Sequence, residues 1–368
     1  MDSIEKIGKI EFAALVTLII FNNLILNIPS IIINLTGTGS WINVIYITVL
    51  AVLFILIICK LLKPFPGNDI LDVAEFCGGK FLKNIIAILY LIMFISFTAF
   101  SLRFFTNSLR LIYFDATPLV ILILFFLVPA LFISKLGFKA ISSVNLLVFL
   151  FSTVTFFVYF FAASGFFVWQ RLFPIFGYGT KVTFVNNILN LFSFNIVAYL
   201  YFLKPFIKEE NDYKKMFIFG IILFGIYLLL GILALIMTFS FIAQTNETLS
   251  VFIVTRLISF GNFFQRVDAL ITFIWILVIL SFLTFNVFII SYIIRKTLKL
   301  ESSSGINYCV AALIFATSLA FKDISIIKTI TKDIYRPYSF VLMFVISFII
   351  FLLAYIKKKN TKGVTKWI

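Results

Sequence analysis

The sequence predicts an all-α integral membrane protein of ten transmembrane helices, arranged as a five-plus-five inverted repeat with breaks in helices 1 and 6. Three observations predict it. The mean hydropathy is +1.16 and only 12% of the 368 residues are charged, against about a quarter in soluble domains. Apolar runs near the ~20 residues that carry a helix across the hydrocarbon core recur along the chain, where barrel strands would be shorter and alternating. The run starts also fall into two similar series of five, and an odd number per series sends the second into the membrane from the opposite face. Ten spans without internal symmetry are the alternative.

The first repeat is expected over residues 10–163, with runs at 10–34, 41–62, 81–102, 117–134 and 139–163. The first run carries Glu11 at its edge and is followed by nine more, so it reads as a span rather than a cleaved signal peptide. After the second run comes KPFPGNDILDVAEFCGGK, punctuated by Pro64, Pro66 and Gly67. Asp69 suits an N-cap there. Ile70, Val73 and Ala74 then share one face, and Gly78 and Gly79 end it, which predicts a short amphipathic helix at the membrane surface.

The second repeat is expected over residues 183–356, with runs at 183–206, 216–242, 267–294, 306–321 and 338–356. RLFPIFGYGTKV, residues 171–182, reads as a loop. TLSVFIVTRLISFGNFFQRVD, residues 248–268, is too apolar for a free loop and is expected to pack as a half-helix over the outer vestibule. Residues 357–368 form a basic tail, and the whole chain, 1–368, reads as one polytopic membrane domain.

The formal charge of +15 is unevenly distributed. With the N-terminus inside, inward segments hold twenty of the 30 lysines and arginines, including Lys60, Lys63, Lys135, Lys139, Arg295, Lys296 and Lys357 to Lys359. This is the positive-inside pattern with both termini in the cytoplasm. Basicity therefore reports orientation toward lipid and not a nucleic-acid partner. The three cysteines, Cys59, Cys77 and Cys309, match no metal-ligand spacing. Histidine is absent, which removes imidazole relays and Ser/His or Cys/His nucleophile pairs. No catalytic residue, metal or cofactor is assigned, and an enzyme is not expected.

The polar residues inside the spans carry the functional reading. FNNLILNIPS, residues 21–30, places Asn22, Asn23, Asn27 and Pro29 in an apolar run. Proline frees a carbonyl one turn earlier and Asn side chains compete with the helix ladder, both costly in lipid unless protein or a cavity satisfies them. A discontinuity between Phe21 and Leu24, facing a cavity, is expected; an interhelical hydrogen-bond site or a proline kink is the alternative.

The matching span, NLFSFNIVAYLYFLKP at 190–205, repeats a Phe-Asn pair in Ser193, Phe194 and Asn195. Two broken helices meeting at mid-membrane offer helix N-termini to a carboxylate and free carbonyls to an ammonium or cation. Such a site suits an amino acid. Its candidate lining is Phe21, Asn22, Asn23, Leu24, Ser193, Phe194 and Asn195, faced by Tyr90 and Phe94 of the third span and by Thr284 and Asn286 of the eighth. Packing is the alternative for the facing residues.

Charged residues gather at span ends and no acid sits at mid-depth. That weakens proton coupling and leaves sodium coupling through carbonyls open. Arg266 and Asp268, in the outer turn of the eighth span, read as a structural ion pair or helix-start interaction, or as an outer gate.

Several motifs together resemble one family. The Pro29-containing first span, Trp41 opening the second, FPG at 65–67 followed by DILDVAEFCGGKFLKNI, RLFPIFGYG at 171–179 and RVDALITFIW with Arg266, Asp268 and Trp275 resemble the B subunits of spore germinant receptors. These belong to the amino acid, polyamine and organocation transporter superfamily. The resemblance runs over nearly the whole chain. It implies a transporter-like fold in the inner membrane of a bacterial endospore, with an A subunit and a C lipoprotein as partners and an amino-acid-type germinant as ligand. An ion-coupled amino-acid permease is the rival reading. Where such transporters carry small, Gly-rich backbone at the first break, this chain has two asparagines.

Overall fold

The chain folds as a bundle of helices around one buried apolar core, seen in a computed structural model that describes residues 6–25, 28–208, 212–239, 267–300, 304–321 and 323–364. Its helices are α1 (Lys9–Ile25), α2 (Ile28–Thr36), α3 (Ser40–Leu62), α4 (Ile70–Ile112), α5 (Leu119–Ser134), α6 (Phe138–Ala163), α7 (Ile196–Leu203), α8 (Tyr213–Thr238), α9 (Val267–Leu298) and α10 (Ser304–Leu319). The last helical stretch alternates α11 (Ile324–Ile330), α12 (Arg336–Phe340) and α13 (Ser347–Val364) with π turns at Thr331–Tyr335 and Val341–Ile346. Among the described residues, six helices are long and apolar enough to cross a membrane, seven counting one bent pair, and α5 and α10 are shorter apolar helices. This is a multi-pass, all-α membrane protein.

Two expectations about helix ends hold. Asp69 caps α4, accepting hydrogen bonds from the backbone of Leu71 and Asp72, while the Asp72 side chain reaches back to the Asp69 N–H. The helix then kinks where Gly78 (φ −132°) and Gly79 (φ 69°) leave helical geometry. Gly79 needs no side-chain clearance here, but its left-handed φ disfavours any residue with a Cβ.

The discontinuity expected between Phe21 and Leu24 is not found there. Residues 21–24 lie inside α1, which stays helical to Ile25, and the next helix opens at Ile28. Pro29 is the second residue of α2. Asn27 and the segment 248–266, including Arg266, lie outside the described residues.

The break expected at Ser193, Phe194 and Asn195 falls where the sequence placed it. A π turn (Val182–Asn186) and a 3-10 turn (Ile188–Ser193) lead to Phe194, at φ −79° and ψ 43°, before α7 begins. The two halves bend by 46°. Around this bend α3 packs on α8, α1 on α6 and α8, and α9 on α4, α5 and α6.

Contacts at the two ends of the bundle fix the chain's alternation. At the end that carries the N-terminus, Ile7 N–H donates to the Phe206 carbonyl at 2.7 Å and Lys208 N–H returns to Ile7 at 3.1 Å. There too Lys296 of α9 pairs with Asp69 at 2.8 Å and Asp72 at 2.6 Å, and Tyr292 donates to Asp69 at 2.7 Å. Lys204, buried, donates to the carbonyls of Leu62 and Phe65. At the opposite end Arg171 donates to the carbonyls of Met237 and Thr238, and Thr38 to that of Pro174 at 2.6 Å.

Candidate functional site

The asparagines of FNNLILNIPS tie α1 to its two neighbours. Asn22 and Asn23 are buried, and an amide in a membrane interior needs partners. Asn22 Nδ2 donates to Ser101 Oγ of α4 at 3.2 Å, and Asn22 Oδ1 has no hydrogen-bond partner among the described residues. Ser101 itself donates to the Phe97 carbonyl. Asn23 Nδ2 donates to the Ser193 carbonyl at 3.0 Å and to Asn195 Oδ1 at 3.1 Å, and Asn195 Nδ2 donates back to Asn23 Oδ1 at 3.1 Å. The carbonyl freed at the second break is therefore satisfied by a side chain from the first helix.

The bend carries a second polar layer toward the opposite end. Asn190 donates to Asn43 Oδ1 at 2.8 Å, and Asn43 donates to the Thr183 carbonyl at 2.6 Å. Arg336, buried at the start of α12, donates to Asn187 Oδ1 at 3.0 Å and to Asn190 Oδ1 at 2.9 Å. Asn187 in turn donates to the Leu35 carbonyl at 3.1 Å, just before the α2–α3 turn. These irregular turns survive at membrane depth because amide side chains replace the missing ladder.

A cavity of about 280 Å³ opens above this layer, walled by α2, α4, the helix bend and α11 with its π turn. Its polar lining includes Asn34, Asn195, Thr329, Thr331, Lys332 and Asp333; its apolar lining includes Phe97, Phe100, Phe192 and Tyr335. Phe97 and Tyr335 stack with centroids 6.0 Å apart. A smaller, mainly apolar crevice of about 40 Å³ touches Phe21, Pro29 and Trp275.

The structure distributes the expected lining residues among several places. Of them, Asn195 lines the larger cavity and Phe21 the crevice; Pro29 and Trp275, expected as structural or gate residues, also touch the crevice. Ser193 turns inward onto the Asn190 carbonyl, and Phe194 packs on Phe224 at 4.8 Å. Tyr90 bonds to Ser347 at 2.6 Å, and Phe94 packs against Tyr199 at 4.8 Å. Tyr199 donates to Asn286 Oδ1 at 2.7 Å, while Thr284 donates to the carbonyl of Leu280 on its own helix. Asp268 accepts from Tyr113 at 3.3 Å. Leu24 lies in α1.

Residues that the sequence reading missed are Ser101, Asn190, Arg336, Lys328 and Lys332. The last three fall before the run taken to start at 338, in a stretch read as a connection. Their signal was present: ISIIKTITKDIYRPYSF continues a helical pattern with a cation every fourth residue.

A polytopic helical membrane protein with a bent span and a mid-bundle cavity defines a transporter-like class. The sequence profile of the family described as "Spore germination protein" matches residues 6–326, and the chain belongs to that family. It is 22% identical over 267 residues to the spore germination protein YndE of Bacillus subtilis (strain 168), covering 71% of this chain and 74% of that protein. Among solved structures it is similar to the substrate-bound, outward-open state of a Na+-coupled sialic acid symporter, with a TM-score of 0.63 and 12% identity over 91% of this chain and 79% of that one. That likeness concerns the fold.

Proposed function

We propose that the protein is the transporter-like membrane subunit of a spore germinant receptor, which binds an amino-acid-type germinant and signals to partner subunits to start germination. The observation that carries the reading is the 280 Å³ cavity with Asn195 in its wall, in a chain of the spore germination family. Asn195 also holds α1 through Asn23, so a ligand seated on it acts on the contact between two helices. A ligand shifts such an equilibrium only as far as its affinities for the two states differ.

In this reading ten spans form two inverted sets of five, over residues 10–163 and 183–356, in the spore inner membrane with both termini cytoplasmic. An A subunit and a C lipoprotein receive the signal. The end closed by Lys296, Asp69 and Lys204 is then the cytoplasmic one, and the cavity opens outward.

The test is to reconstitute the full chain in liposomes and measure binding and uptake of labelled amino acids together. Binding without sustained uptake supports a receptor subunit. Robust uptake with no partner present sinks that reading in favour of an ion-coupled permease.

A further inference from the structure

The crevice that touches Phe21 and Pro29 is a seam between α6 and α9, backed by α1 and α8. Phe156 and Tyr159 of α6 and Trp275 and Val278 of α9 form its long walls, and Gly231 leaves room on the α8 side. No charged side chain is among the described residues that line it. On both long walls the neighbouring positions are exposed and apolar, Val154 and Val158 on α6 and Leu270 and Phe273 on α9. Such positions on a membrane helix meet lipid tails, so the seam opens toward hydrocarbon.

This apolar seam nevertheless carries three hydrogen-bond donors. Ser152 directs its hydroxyl to the Phe149 carbonyl at 3.2 Å, but Thr155, Tyr159 and Trp275 make no hydrogen bond among the described residues. Tyr159 is only 6% exposed, and its ring packs on Phe156 while its hydroxyl stays unanswered. Buried Tyr and Trp side chains ordinarily find an acceptor. Thr155 and Tyr159, four residues apart, share one face of α6, and Trp275 stands on the facing wall. The crevice thus offers donors without charge, which suits a neutral oxygen acceptor.

Size and depth narrow that acceptor. The volume, about 40 Å³, is room for roughly three waters, hence for a carbonyl and its first methylenes rather than a whole solute. The 26 residues of α6 make about 39 Å of helix against a hydrocarbon core of ~30 Å. Tyr159 stands four residues before the end of α6, about 6 Å in. That is the boundary where tails meet headgroups and where Tyr and Trp anchor.

We infer that the crevice is a lipid site: the ester carbonyl of one membrane lipid accepts hydrogen bonds from Tyr159 and Trp275 while its acyl chain runs along the seam past Val278 to Phe21. The site is separate from the larger cavity and does not depend on the ligand proposed there. Phe21 adjoins Asn22 and Asn23 in α1, so a lipid held here bears on the joint between α1 and the bend.

The experiment titrates the purified full chain with two phosphatidylglycerols of identical chains, one ester-linked and one ether-linked, and reads the affinity of the first retained lipid by native mass spectrometry. The ether lipid keeps headgroup and tails but lacks the carbonyls, so contacts of the headgroup cancel in the comparison. The native chain should hold the ester lipid about fivefold more tightly, the ratio that one net hydrogen bond gives. Tyr159→Phe keeps the ring and strands no partner, so it should fold normally. Tyr159→Phe and Trp275→Phe should each lower the ratio, and the double variant should bring it to about one. Equal affinity for the two lipids in the native chain, or an ester preference that survives in the double variant, overturns the inference.

Discussion

Asn23 and Asn195 exchange two hydrogen bonds, each side-chain amide donating to the other at 3.1 Å across the meeting point of α1 and the bend before α7. Both residues are buried. Asn23 also holds the Ser193 carbonyl that the bend leaves without a ladder partner. Replacing either by Leu strands the other's polar atoms, a cost of about 1–3 kcal/mol. The double variant should lose less than the sum of the single ones, because it strands fewer groups. Thermal unfolding of the purified variants reads this coupling; strictly additive losses would show that the pair does not act as a unit.

Ligand response should separate the two residues. Asn195 reaches the cavity wall while Asn23 stands behind it. Asn195→Asp, which keeps an acceptor and adds a negative charge, should weaken binding of a carboxylate ligand by about tenfold or more, since an opposed charge or lost hydrogen bond at such a site is worth over 1.4 kcal/mol. Germination of spores carrying the variant, scored against germinant concentration at matched protein level, provides the measurement.

Lys296 closes the end that holds the N-terminus. Its ammonium sits 2.8 Å from Asp69 and 2.6 Å from Asp72, and the Asp69 side chain is fully buried. Removing one member of a buried ion pair leaves an uncompensated charge, so Lys296→Met should destabilise by about 3 kcal/mol or more. Lys296→Arg should keep most of the stability. If Lys296→Met unfolds at the native temperature, this contact is not a latch.

Lys204 serves a related purpose at the end of α3. It is buried and donates to the carbonyls of Leu62 and Phe65, at and just past the helix end, which also accept from the Phe65 and Asn68 N–H groups. Tyr213 donates to the Cys59 carbonyl at 2.7 Å in the same turn. Lys204→Met should loosen this helix end and raise maleimide labelling of Cys59, which is buried in the native fold, above its level in the native chain. Unchanged labelling would count against the cap.

Gly177 sits where two turns touch at the opposite end. A Cβ there would lie 2.0 Å from the Thr36 carbonyl oxygen and 2.6 Å from the Gly39 nitrogen, and φ is +53°. Both neighbours are backbone, so nothing swings aside. Gly177→Ala should cost upward of about 1–3 kcal/mol, visible as lost yield or a lower unfolding temperature. Gly165→Ala, whose Cβ meets nothing within 4 Å, is the matched control.

The membrane class, the Asp69 cap, the kink at Gly78 and Gly79 and the bend at Phe194 were legible because each rests on local chemistry. Hydropathy, side-chain-to-backbone capping and backbone freedom act over a few residues. The discontinuity expected between Phe21 and Leu24 was misplaced for the same local reason: two asparagines in an apolar run read as a break unless their partners Ser101 and Asn195 are known. Lys328, Lys332 and Arg336 were passed over because their helix begins before the apolar run does, and only the fold shows that this stretch is a cavity wall.

From its sequence alone this chain was bound to bury apolar helices in a membrane and to bend one of them at Phe194. The tertiary structure decided which polar groups meet. Asn22 and Asn23 are neighbours in sequence, yet one faces Ser101 on α4 and the other Asn195 at the bend. Adjacent residues on a helix point about 100° apart, so their partners are set by which helices pack on each face. That packing, summed over the whole core, turned an odd cluster of amides into a joint between two helices.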